Sequence, residues 1–177
     1  MDQAELFISK SRGLLVSDLL PKIRRCLALL TEDQIWWRPN SASNSIGNLV
    51  LHLEGNVRQW ILSGVGGLPD QRKRQQEFDE TGPIKPDELL KRLTATIAAV
   101  DEVLGGLEKQ TLLEEREIQG KPRNVLDAVY HVVEHFSMHT GQIIMITKML
   151  TEEDTKLHSD LSKMPVPLAA TQVNAQD

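Results

Sequence analysis

Residues 125–150 read VLDAVYHVVEHFSMHTGQIIMITKML, and this stretch decides the fold. It holds no proline and repeats its apolar residues at helical spacing, so it predicts one long helix. Asn124 precedes it as a good N-cap, and the pattern runs to about Leu150. Most of a helix's stability comes from packing its apolar face, so partners must lie upstream.

Three segments supply them. The first runs from about Gln3 to Leu30, with Leu15, Leu19, Ile23, Leu27 and Leu30 spaced by four and three. Pro21 sits inside it and predicts a bend or a break. The loop chemistry of TEDQIWWRPNSAS follows. The second helix opens at Asn44 or Ser45 and runs through IGNLVLHLEGNVRQWIL to about Ser63, where Gly64, Gly66 and Gly67 close it. The third opens on Pro86, Asp87 and Glu88, with acids placed against the helix dipole. It carries Leu89, Leu93, Ile97, Val100 and Leu104 and stops at Gly105 and Gly106.

Nothing alternates for long enough to make a sheet, although residues between Leu107 and Lys121 have room for a short hairpin or an extended arm. The expected fold is therefore all-α, a four-helix bundle occupying residues 1–150. The connection from Leu68 to Lys85, roughly 20 residues, exceeds what an up-down hairpin needs, which predicts a crossover connection between helices 2 and 3. Residues 151–177 read as a polar tail, since MPVPLAATQVNAQD has too little apolar mass to fold alone.

Composition narrows the function classes. The chain has 177 residues, 40% hydrophobic and 25% charged, the balance of an ordinary globular domain. Aromatic residues are only 4%, so the core must be mainly Leu, Ile, Val and Ala. A formal net charge of −5 and a pI near 5.6 lack the footprint that nucleic acid requires. The basic cluster Arg72, Lys73, Arg74 is followed by Glu77, Asp79 and Glu80 and reads first as a solvated loop, with an anion contact beside a site as the alternative. The start, MDQAELFISK, does not read as a signal peptide, and no apolar run is long enough to span a membrane. A single cysteine, Cys26, fits a buried residue in a reducing, cytoplasmic setting.

The histidines carry the chemistry. His131, His135 and His139 follow one another at i, i+4 and i+8 on the fourth helix. Two imidazoles at i and i+4 can converge on one metal ion, but the outer pair of three lies ~12 Å apart along the axis. A further ligand should come from another helix, and His52 is the sensible donor: it shares an inward stripe with Asn48 and Asn56, beside Leu49 and Leu53. The amides would orient an imidazole or meet a metal-bound water. Three neutral imidazoles suit a divalent ion, zinc or nickel, with iron as a further candidate. The competing reading makes each histidine a hydrogen-bonded core residue. His131 then packs at the bundle end, Glu134 is a surface residue, Trp36 and Trp37 plug a bundle end, and His158 lies in the tail.

HVVEHFSMHTGQI, read with the upstream SIGNLVLHLEGNV and the four-helix layout, resembles the DinB-like superfamily of bundle metalloproteins over about residues 5–150. The resemblance rests on a histidine in the second helix and on H-x-x-x-H followed by Gly-Gln in the fourth. It implies a divalent ion on His52, His135 and His139. It also implies a homodimer and, as in some relatives, a thiol-S-transferase or isomerase that uses a low-molecular-weight thiol. The first reading for this chain is a metal-dependent transferase or hydrolase acting on a small molecule, with Gln142 and Asn56 positioning the bound ligand. The alternative is a non-catalytic, metal-stabilised bundle that binds a small molecule or a protein.

Overall fold

The computed structural model describes residues 1–157. The proposed tail therefore lies mostly outside the described residues, His158 included. Asp2 starts the first bundle helix with a capping box: its carboxylate accepts from Glu5 N, and the Glu5 carboxylate accepts from Asp2 N. Helix α1 (Gln3–Gly13) passes through a π-helical stretch, Leu14–Leu19, into α2 (Leu20–Ala28). The bend or break expected at Pro21 takes the form of that widened stretch, in which Leu20 N bonds Leu15 O, five residues back. The helix goes on because the wider turn relieves the clash of the pyrrolidine ring with the preceding carbonyls. The stripe Leu15, Leu19, Ile23, Leu27 and Leu30 is buried, as is Cys26.

A short helix, α3 (Glu32–Trp36), interrupts the expected loop because Thr31 and Gln34 form a second capping box. Ser45 caps α4 (Ile46–Val57) in the same way with Asn48, and a π-helical stretch, Arg58–Val65, extends it to Gly66. The long connection is not featureless: it contains α5 (Arg74–Asp79). Helix α6 (Pro86–Gly105) has the expected bounds and acidic first turn. A single 3-10 turn, Lys109–Leu113, leads to an antiparallel hairpin, β1 (Glu115–Ile118) and β2 (Lys121–Asn124). Its two-residue turn, Gln119 and Gly120, has φ of 55° and 71°, the twist that suits a tight hairpin. Asn124 then caps α7 (Val125–Thr151), accepting from Asp127 N at 2.7 Å.

Contacts between helices define the topology. Glu54 of α4 bonds Arg92 and Thr96 of α6, and Gly66 lies against Val103, so α4 and α6 run parallel and the connection between them crosses over. Arg12 of α1 pairs with Asp101, and Asp2 and Glu5 at the helix start reach Lys109 just beyond α6, so the first helix runs antiparallel to α6. Helix α7 packs against the first helix and against α4. The result is a four-helix bundle with the expected crossover. Trp36 closes one end: its ring fits against Gly47 and Gly82, and Nε1 donates to Ile84 O at 3.2 Å. Among the described residues no helix is long and apolar enough to cross a membrane.

Candidate metal centre

Helix α4 is buried on nearly every side from Ile46 to Leu53, which places it inside the fold rather than on its surface. His52 is 5% exposed and points across the bundle to α7. There His135 and His139, one turn apart on one face, meet it. His52 Nε2 lies 3.0 Å from His135 Nε2, and His139 Nε2 lies 3.2 Å from the same atom. One ligand atom from each of the three falls within 4.8 Å of the others. Two nitrogens bound tetrahedrally at ~2.0–2.1 Å from an ion stand about 3.3 Å apart, so the spacing is that of a ligand set.

The outer nitrogens decide which atoms face inward. His52 Nδ1 lies 2.9 Å from Glu77 Oε2, and a carboxylate can only accept, so Nδ1 carries the proton. Arg72 Nη2 is 3.1 Å from that Nδ1 but finds its acceptor in Glu77 Oε2 at 2.8 Å. Arg72 Nε completes the pair by donating to Glu77 Oε1 at 2.7 Å. His139 Nδ1 donates to Gln142 Oε1 at 2.6 Å. In the neutral imidazoles both Nε2 atoms are then lone pairs, aimed at the space between the rings. Without an ion, a proton on His135 Nε2 can serve both lone pairs; with one, all three Nε2 atoms converge on it. The residues present fit a divalent ion.

The electrostatics agree. Burial, with His139, His52, His131 and Arg72 as neighbouring cationic groups, pushes the His135 pKa down to about 3. Burial also lowers His139, against the opposing hydrogen bond to Gln142. Burial alone would raise the Glu77 carboxyl, but the hydrogen bonds from Arg72 and His52 outweigh it and hold it below the usual range. Lowered values for His135 and His139 favour their neutral forms, and a lowered Glu77 favours the carboxylate, as ligation and orientation require.

His131 stays out of the cluster. Its ring stacks on Trp60 with centroids 4.0 Å apart, and Nε2 faces Asn56 Nδ2 at 3.5 Å. Asn56 Oδ1 is buried without a partner among the described residues. Asn48, read as an amide that serves the imidazole or a water, instead donates to Glu77 O and Glu80 O at 2.9 and 2.8 Å. It anchors the connection that carries Glu77. Glu134 is exposed, and Trp37 is only partly covered.

Sequence reasoning missed that connection. Arg72 does not belong to a solvated loop: its side chain is 4% exposed, and that of Glu77 is 11% exposed. Phe78 adds a ring contact to His52 at 4.8 Å. One residue signalled the approach. A Cβ on Gly55 would stand 2.1 Å from Glu77 Oε1, so the glycine within α4 marks where α5 presses in.

A solved DinB-like protein from Bacillus cereus is similar to this chain, with a TM-score of 0.61 at 17% identity. The match covers 76% of this chain and 87% of that one and shows a shared fold. No curated protein matches the chain. Residues 2–161 match the family described as protein of unknown function DUF1572, and the chain belongs to that family.

Proposed function

We propose that His52, His135 and His139 hold one divalent ion through Nε2, and that the chain is a metal-dependent transferase or hydrolase acting on a small molecule. The observation that carries this is the pair of lone pairs fixed by Glu77 and Gln142 and aimed at one point beside His135. Zinc or nickel suits three neutral imidazoles, with iron as a further candidate. When bound, such an ion acts as a Lewis acid and lowers the pKa of a thiol or water, since three protein ligands leave a position open. Gln142 and Asn56 flank the triad and are assigned to positioning the bound molecule. Gln142 has its amide nitrogen to offer, because only its oxygen is engaged by His139.

Both oxygens of Glu77 are occupied by Arg72 and His52. Three hydrogen bonds and a lowered pKa make it an orienting group and a weak general base. This favours the transfer reaction with a low-molecular-weight thiol, whose deprotonation needs no protein base. The same observation keeps a second reading in play, a non-catalytic bundle in which the ion ties α4 to α7. A cytoplasmic setting and the absence of nucleic acid partners belong to the proposal through the charge and the buried Cys26. So does a homodimer, for which exposed Leu126 and Tyr130 offer apolar surface.

Elemental analysis of protein purified without affinity tag or chelator should find about one divalent ion per chain. Protein that neither carries nor takes up zinc, nickel or iron would overturn the metal reading. Loaded protein should next be assayed with bacillithiol, mycothiol or glutathione and electrophilic acceptors. Turnover supports the enzyme, and inertness toward every pair favours the non-catalytic bundle.

A further inference from the structure

A cleft of about 600 Å³ opens between the start of α4, the second half of α7 and residues 39–44. Leu49, Met138, Gln142, Met145 and Ile146 are among its walls, and no charged side chain lines it. None of the three histidines lines it, but it adjoins them along α4 and α7. Leu49 lies one turn before His52, and Met138 and Gln142 flank His139, so Gln142 both lines the cleft and holds His139 Nδ1. Met138 and Met145 are 54% and 61% exposed. Large apolar side chains held in water beside a concave site mark a place where apolar matter binds, and methionine adapts to varied shapes. The volume falls within the range of small-molecule sites, ~300–1,000 Å³. Residues 39–44 wall the third side, which suits a thin chain better than a helix ~10 Å across.

Resting on the metal reading above, we propose that this cleft receives the uncharged apolar tail of a molecule whose polar head meets the three histidines. From His139 to Met145 is six residues along α7, so the tail is about 9 Å long. The substrate class is thus an amphiphile with a metal-binding head and an aliphatic tail, rather than a compact polar metabolite.

The test measures, by calorimetry, the affinity of zinc-loaded protein for acetohydroxamate, butyrohydroxamate, hexanohydroxamate and octanohydroxamate. Affinity should rise up to ~4-fold per methylene, the factor that ~0.8 kcal/mol gives, and level off once the cleft is filled. Met145→Glu should flatten that rise and leave the affinity for acetohydroxamate unchanged. A flat series in the wild-type protein overturns the cleft proposal and leaves the metal reading standing. Absence of binding by every hydroxamate counts against the metal reading instead, and a second arm then decides the cleft. In metal-free protein carrying ¹³C-methyl methionine, n-hexanol should shift the methyl resonances of Met138 and Met145 but not that of Met149. Unshifted Met138 and Met145 methyls overturn the proposal whatever the fate of the metal.

Discussion

His135 differs from the other two histidines in one respect: its Nδ1 is buried and without a partner, while theirs meet Glu77 and Gln142. It is held by burial between its neighbours, which is also why its pKa falls so far. The consequence for pH has a definite sign. The unfolded imidazole titrates near 6.5 and the folded one near 3, so between those values the unfolded chain binds more protons. Stability of the metal-free protein should be full above about pH 6.5 and decline toward pH 3, as denaturant midpoints across that range will show. Substituting His52, His135 or His139 by Gln should abolish metal binding, whereas His131→Gln should leave about one ion per chain. Loss of the ion from His131→Gln with retention in His52→Gln would mean that the ligands come from α7 alone. Glu77→Gln should weaken zinc affinity ~10–100-fold, the usual cost of losing a partner that orients a ligand. Gly55→Ala should act in the same direction, because its Cβ displaces the flexible end of Glu77 at little cost to the fold. Competition with a chromophoric chelator measures both.

Among the elements, α5 is the one whose place was least expected. It has no buried residue of its own and no side-chain cap, so local propensity alone would not hold it. What holds it is Asn48, which reaches from the first turn of α4 to the carbonyls of Glu77 and of Glu80 just past the helix, Arg38, which donates to those of Phe78 and Glu80, and the Arg72–Glu77 pair pressed against Gly55. Asn48→Ala removes both amide bonds and the capping partner of Ser45. We expect a loss of roughly 1–3 kcal/mol, the range for stranding buried polar groups. A weaker zinc affinity should accompany it, since Glu77 loses its anchor. Thermal melts and zinc titration of one variant test the two together. Unchanged zinc affinity in a destabilised Asn48→Ala would show that Arg38 and the Arg72–Glu77 pair place α5 without Asn48.

At the scale of the molecule, the histidines bridge α4 and α7, which run antiparallel, with His52 facing His135 and His139 while Asn56 faces His131. An ion there joins two helices that are 83 residues apart between His52 and His135. Ligand binding to the folded state alone adds about 4 kcal/mol at a thousand-fold excess over Kd. For a chain of this size that corresponds to roughly 8–16 °C in Tm. Zinc-loaded protein should melt higher than metal-free protein by about that amount. Equal melting temperatures for the two would mean that the ion is not held across the bundle.

The sequence by itself determined the four long helices, because capping residues, glycine stops and the spacing of Leu15 to Leu30 and of Leu89 to Leu104 are local signals. It also marked His52 and the run His131, His135, His139 as candidate ligands, since i, i+4 spacing and an inward stripe are properties of single helices, while the choice of His135 with His139 came from the family resemblance. The length of the 68–85 connection was enough to expect a crossover. Tertiary structure alone decided how α4 faces α7, and so which ring nitrogens meet. It also decided what the charged residues of the connection do. Arg72 and Glu77 have the composition of a solvated loop, and only their approach to Gly55 and His52 turns them into a buried pair. Charge says where a side chain would rest in isolation, whereas burial beside a partner depends on residues distant in sequence, and Gly55 marks a close approach without naming what approaches.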